Sequence, residues 1–312
     1  MILTVTSNIA LDRTYLVDHV NPGAVHKVRT AFSQTGGKGI NVSRTLAALG
    51  HSTLVAGLLG RAGLDEAQAD LQRAGLSCEL YGVGDQPRQT VTVTSDDGIT
   101  TTFDEPGPTV TEAEWRGFED HVRALVPGAE TVVIAGSFPP GTPADGLERL
   151  VTVAREQDVP VMVDARGPKL SAALGVRPEI TKLNLDELGQ TLGRECLTDR
   201  EVIEGAQELQ DAGARTVIVT LGGDGAIALD GEAGWRVQHP RRSGNPVGAG
   251  DAFSAGFTVA RLEQREFGEA LRHGAAAALA SLLSPVAGRV GAADVRAAIP
   301  EIEIKQFEVV RV

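Results

Sequence analysis

The sequence is poor in cysteine. Cys78 and Cys196 are the two present in 312 residues, far apart and without the paired spacing of a zinc or redox motif. That scarcity points to a reduced, cytoplasmic setting. Long apolar runs are missing too, since nothing approaches the roughly 18 consecutive apolar residues of a membrane span. The amino terminus, MILTVTSN, lacks the basic region of a signal peptide and turns polar at once, so it reads as a first strand. Positive charge is in deficit: the formal net charge is −12, which argues against a general nucleic-acid binder. The six histidines are scattered and form no metal motif, so each reads as a surface or packing residue. Internal repeats, low-complexity tracts and long linkers are also absent.

With 42% hydrophobic and 22% charged residues, the composition is that of an ordinary soluble globular protein. The length suits one large α/β domain, alone or with a smaller appendage. From about residue 130 strand and helix alternate. TVVIAGS (131–137), VPVMVDA (159–165), EITKLN (179–184), RTVIVTLG (215–222) and AIALD (226–230) read as strands, with helical stretches such as DREVIEGAQELQDAG (199–213) between most of them. This alternation implies right-handed crossovers and a mostly parallel sheet covered on both faces, with ligands gathering at the carboxyl ends of the strands. Those ends carry Asn8, Gly136-Ser137, Asp164, Asn184 and Gly222-Gly223.

Two segments, 12–34 and 86–105, break the rhythm. Both are rich in Thr and Val, and the second alternates, turns at Asp97-Gly98 and returns, as a hairpin does. They read as excursions that pair into one small β-layer, a lid over the ligand end. An acidic protein that binds an anion must gather its cations locally, and Lys27, Arg29 and Arg88 fall in this layer, with Lys38 and Lys182 outside it.

NPVGAGDAFSAGF (245–257) places small residues around one acid, Asp251, where a helix begins. Gly248 and Gly250 allow backbone conformations that residues with a Cβ resist. The turn leaves bare N–H groups at a helix N-terminus, where anions are favoured. A carboxylate there repels a resting phosphate, yet it can take the proton of a hydroxyl that attacks one. TGGKGINVSRTLAALG (35–50) is a glycine turn running into an amphipathic helix, read either as a tight turn or as the place from which Lys38 and Asn41 project toward a polar ligand. It is no Walker loop, because Gly39 follows the lysine where that motif needs Ser or Thr. NLDEL (184–188) is a helix N-cap with Glu187 completing a capping box, unless a phosphate site lies beside it.

Together these motifs resemble the PfkB/ribokinase family of sugar kinases, over nearly the whole chain. GGKGIN (36–41) is similar to its first signature and NPVGAGDAFSAGF to its second. MILTVTSNIALD, the PGP at 106–108, GSFPPG at 136–141 and the NLDEL acid are closest to its phosphosugar branch, which contains 1-phosphofructokinase and tagatose-6-phosphate kinase. The resemblance implies a Rossmann-like three-layer α/β/α core (1–11, 35–85 and 106–312) with a mostly parallel sheet, plus a β-sheet lid (12–34 and 86–105) that serves for homodimerisation. It implies Asp251 as catalytic base with Gly248, Ala249 and Gly250 as anion hole. Asp12, Gly37, Lys38, Asn41, Arg88 and Ser137 would line the phosphosugar site, assisted by Lys27 and Arg29. Lys182, Asn184, Thr220, Gly222 and Gly225 would face the nucleotide, with Asn184 and Glu187 holding Mg²⁺ through water. The chain departs from the branch at Ile9, Leu183 and Phe138, and at Asp164-Ala165-Arg166, where small hydroxyl residues are usual.

The implied reaction is ATP-dependent phosphorylation of a ketohexose phosphate: fructose 1-phosphate first, with tagatose 6-phosphate or fructose 6-phosphate as alternatives. A catalytically silent sugar-phosphate sensor would need no Asp251. A nicotinamide dehydrogenase would need a glycine fingerprint after the first strand, and TVTSNIALD has no glycine.

Overall fold

The computed structural model describes residues 1–309. Fourteen strands occur among them: β1 (Ile2–Thr6), β2 (Ala10–Val17), β3 (Thr30–Gly36), β4 (Thr53–Gly60), β5 (Ser77–Val83), β6 (Arg88–Ser95), β7 (Thr100–Asp104), β8 (Thr131–Ala135), β9 (Val161–Asp164), β10 (Ile180–Asn184), β11 (Thr216–Thr220), β12 (Ala226–Asp230), β13 (Ala233–Gln238) and β14 (Glu303–Glu308). The helices are α1 (Lys38–Ala48), α2 (Leu64–Arg73), α3 (Glu112–Leu125), α4 (Gly146–Arg155), α5 (Gly167–Leu174), α6 (Leu185–Leu192), α7 (Asp199–Asp211), α8 (Ala249–Leu262), α9 (Phe267–Ser281) and α10 (Ala292–Ala298).

Every residue of β1 is buried, because successive side chains enter two different cores. Leu3 and Val5 pack with α3 to α7, whereas Ile2 packs with α1, α8, α9 and α10. Val132 and Val133 of β8, and Val217 and Ile218 of β11, divide between the same two cores. A third cluster joins Ile40 of α1 and Leu71 of α2 to Val55 and Leu59 of β4. The result is a sheet between two helical layers, the ribokinase-like α/β/α arrangement.

The large sheet has the order β14-β13-β12-β11-β10-β9-β8-β1-β4-β5. From β5 through β11 neighbouring strands are parallel, so their carboxyl ends share one edge. AIALD, read as a further strand, returns antiparallel to β11 as β12. Only a short turn, Gly222–Asp224, separates the two strands, whereas a parallel crossover needs a dozen or more residues. β13 and β14 extend the antiparallel end, and neither was read from the sequence.

The second sheet has the order β3-β2-β6-β7. The two excursions meet where β2 runs parallel to β6, from Ala10 opposite Arg88 to Val17 opposite Ser95. β6 and β7 form the expected hairpin across Asp97-Gly98. This sheet stands beside the carboxyl edge of the large one, joined to it through Ser7–Ile9.

Candidate active site

The start of α8 sets the centre of the site. Gly248 has φ +85°, a left-handed conformation that puts the following residues directly into helix. Asp251, third in α8, is 5% exposed. Its Oδ2 accepts a hydrogen bond from Asn41 Nδ2 at 2.8 Å. Asn41 is in reach because α1, beginning at Lys38, packs along α8. Gly250 is fitted closely as well: a Cβ there would lie 2.7 Å from Lys182 Nζ. That ammonium group therefore sits over the opening turn of α8, whose first N–H groups have no intrahelical acceptor. Dipole and lysine add to a single positive spot beside the buried carboxylate.

Below this spot lies a buried chain of charges. Asp164, at the end of β9, accepts from Lys38 Nζ on Oδ1 and from Lys182 Nζ on Oδ2, each at 2.6 Å. Lys38 also donates to Glu187 Oε1 at 2.7 Å. Burial alone would raise the Asp164 carboxyl, but the two ammonium groups pull it down to about 2. Burial would lower Lys38, yet the carboxylates of Asp164, Glu187 and Asp251 hold it charged. Asp251 goes the other way. Burial and then the Asp164 charge push it up to about 6, against the pull of Lys38, Lys182 and the Asn41 hydrogen bond. Two neighbouring carboxyls thus have separated affinities for protons, as acid–base chemistry requires.

These groups open into a cavity of about 610 Å³ along the carboxyl edge of the sheet, a size suited to small ligands. At the end nearer the second sheet, Asp12, Asn8, Ser137 and Arg88 line it. Asn8 Nδ2 donates to Ser137 Oγ at 3.2 Å, and Arg88 donates to the carbonyls of Glu105 and Asn8 and pairs with Asp104 at 3.1 Å. Burial pushes the Asp12 carboxyl up to about 7, with Arg88 opposing. Asn8 Oδ1 and Asn41 Oδ1 are buried without a hydrogen-bond partner among the described residues, against Gly107 and Gly288 respectively. At the other end lie Thr220, Gly222 and Gly225, with an apolar wall of Phe253, Ala275, Leu279 and Leu282.

Against known proteins, residues 3–290 match the pfkB family carbohydrate kinase. The chain belongs to the pfkB family of carbohydrate kinases. Escherichia coli phosphofructokinase-2 in complex with potassium is 31% identical, with a TM-score of 0.88 over 96% of this chain and 98% of that one. The same enzyme in complex with fructose-6-phosphate is 30% identical, with a TM-score of 0.85 over the same shares. A Thermotoga maritima protein described as a possible 1-phosphofructokinase is 24% identical, with a TM-score of 0.90 over 98% and 99%, a likeness of fold.

In this pfkB-family kinase sixteen positions singled out from the sequence line one cavity. They comprise Asp12, Gly37, Lys38, Asn41, Arg88 and Ser137; Lys182, Asn184, Glu187, Thr220, Gly222 and Gly225; and the turn from Gly248 to Asp251. Lys27 and Arg29 are not brought to it. Lys27 is exposed on the lid, and Arg29, also exposed, is paired with Asp18 at 3.0 Å and with Asp96. Their placement with the sugar-binding cations is therefore corrected for the single chain: the β2–β3 connection carries them beyond the cavity.

Asn184 and Glu187 form the capping box, each side chain bonded to the other's backbone N–H at 2.8 and 2.9 Å. No three His, Cys, Asp or Glu residues converge into a metal cage among the described residues. That donor set fits a cation which keeps its waters and takes its other ligands from phosphate.

Sequence reading missed Asp164 as the partner of both lysines, though the acid closing an apolar strand was visible. It also missed the apolar wall from α9. GEALRHGAAAALAS is alanine-rich, and that allows α9 to lie tight against α8.

Proposed function

We propose that this pfkB-family kinase transfers the terminal phosphoryl group of ATP to a ketohexose phosphate, fructose 1-phosphate first, giving fructose 1,6-bisphosphate and ADP. The observation that carries the reading is Asp251: a buried carboxyl raised to about 6, oriented by Asn41, beside a positively charged helix start. Above pH 6 it is ionised and accepts the proton of the attacking sugar hydroxyl. The N–H groups of residues 248–250, with Lys182 above Gly250, stabilise charge on the transferring phosphoryl. Arg88, at the end of the cavity beside Asp12 and Ser137, receives the phosphate already on the sugar. The wall from α9 takes the adenine ring.

Asn184 and Glu187, joined in the capping box, would hold the waters of a Mg²⁺ ion bound to ATP, and the ion would supply charge neutralisation at the phosphate oxygens. The lid shields the reaction from water as a competing acceptor. A second chain covers the lid, whose exposed surface includes Val25, Val28, Ile99 and Phe103.

Fructose 6-phosphate is the second reading, favoured by the 30% identity to the enzyme solved with that sugar. The test is ADP release with Mg²⁺-ATP and four acceptors: fructose 1-phosphate, fructose 6-phosphate, tagatose 6-phosphate and fructose. A lead for fructose 1-phosphate supports the first reading, and a lead for either 6-phosphate transfers the mechanism to that sugar. Preference for unphosphorylated fructose, or no turnover on any of the four, overturns the phosphosugar assignment.

A further inference from the structure

The cavity must accommodate several anionic groups, yet nearly all its cations are already paired. Lys38 and Lys182 are held by Asp164 and Glu187, Arg88 by Asp104, and Arg242 by Glu301 at 2.5 and 2.7 Å. The acids in and directly beneath the lining are Asp12, Asp104, Asp164, Glu187 and Asp251, one more than those four bases. Arg166 lines the same cavity, is exposed, and has no hydrogen-bond or ion-pair partner among the described residues. It is the one lining arginine or lysine whose charge is uncommitted.

Its position is central. Arg166 follows Asp164 by two residues beyond β9, and β9 lies between β8, which leads to Ser137, and β10, which leads to Asn184. The loop is fixed to α6: Gly167 N donates to Thr191 Oγ1 at 3.0 Å, and that hydroxyl donates to the Glu187 carbonyl at 2.6 Å. We infer that Arg166 binds the terminal phosphates of the nucleoside triphosphate over the reaction centre, an inference that rests on the kinase reading above. A guanidinium group stays charged at all working pH values and presents a planar fork that matches phosphate oxygens. The sugar's own phosphate belongs to Arg88, at the lid end.

The test compares Arg166→Gln and Arg166→Lys with the wild type, using calorimetric binding of Mg²⁺-ATP and of AMP without sugar, alongside steady-state kinetics. Arg166→Gln is expected to weaken ATP roughly 10- to 100-fold, the range for a lost charged hydrogen bond. AMP binding and the KM for the sugar phosphate stay within about twofold, and lysine restores part of the loss. ATP and AMP weakened equally, ATP unchanged, or a rise confined to the sugar-phosphate KM would each overturn the assignment. Because ATP binding is read without sugar, an Arg166-dependent preference for ATP over AMP supports the inference even in a protein that phosphorylates none of the four sugars.

Discussion

Asn41 Nδ2 lies 2.8 Å from Asp251 Oδ2, joining the first turns of α1 and α8. The amide engages Oδ2, and in the proposed transfer the other carboxylate oxygen would meet the substrate hydroxyl. The two signatures that are far apart in sequence thus meet in one hydrogen bond.

Asp251→Asn removes the base and keeps the shape. Turnover should fall by roughly 10²–10⁴, the range for general-base loss, with substrate KM values little changed. Stability should move oppositely. The folded carboxyl, at about 6, lies above its unfolded value of about 3.9, so its burial costs the native state at neutral pH and that cost fades as pH falls. The variant should therefore melt above the wild type at pH 7.5, by a margin that shrinks toward pH 4. An unchanged rate, or a variant that melts lower at pH 7.5, would contradict this role.

The same carboxyl sets a pH profile. kcat/KM reports the free enzyme, so it should decline on the acid side through about pH 6 as Asp251 takes up a proton. Asp12, pushed to about 7, titrates nearby. In Asp12→Asn the limb near 6 should persist at reduced activity. A profile flat from pH 5 to 8 in both proteins would remove Asp251 as the base.

Much of this site was legible in the sequence because it is built at strand ends and helix starts. There glycine, proline and isolated polar residues stand out against apolar runs, as at Gly136-Ser137 and Gly248–Asp251. The charge network was less legible. Asp164, Lys182 and Lys38 come from three elements, and only the order β10-β9-β8-β1 brings them into contact. Lys27 and Arg29 show the converse limit: residence in the lid did not determine which end of the lid they occupy. The strands β13 and β14 have mixed sequences, AGWRVQ and EIKQFE, and their place comes from successive pairing, β13 with β12 and the edge strand β14 with β13.

Asp164→Asn should be costly to the fold. It would leave two ammonium groups, the buried Lys182 and the half-buried Lys38, sharing fewer acceptors, and stripping a partner from a buried ion pair such as Lys182–Asp164 costs about 3–5 kcal/mol. Adding Lys182→Met should recover part of the loss in urea unfolding, because it also removes one stranded charge. A single variant within 1 kcal/mol or so of the wild type, against that expectation, would mean the network is better hydrated than its burial implies.

Arg88→Ala should separate the two substrates. The guanidinium is anchored by Glu105 and Asn8 carbonyls and by Asp104 at the lid end, away from Thr220 and Gly222. The KM for the sugar phosphate should rise by at least roughly tenfold while that for ATP changes less than about threefold. Equal rises for both would remove Arg88 from the sugar-phosphate end.

Gly250→Ala probes the positive spot without replacing a charged side chain. Alanine is the better helix former by about 1 kcal/mol, so the substitution should be nearly neutral or helpful to α8 itself. Its Cβ, however, would stand 2.7 Å from Lys182 Nζ. Lys182 is 2% exposed and tied to Asp164 at 2.6 Å, so the ammonium group must shift away from the turn. The expected outcome is a folded protein melting within a few degrees of the wild type, with kcat lowered at least about tenfold and less effect on ATP binding. Gly248→Ala is the contrast. At φ +85° and with Ala287 Cβ only 2.9 Å from the new atom, it should lose stability as well as rate. If Gly250→Ala keeps full turnover, the lysine above the helix start contributes nothing to phosphoryl transfer, and the backbone N–H groups alone supply the anion hole.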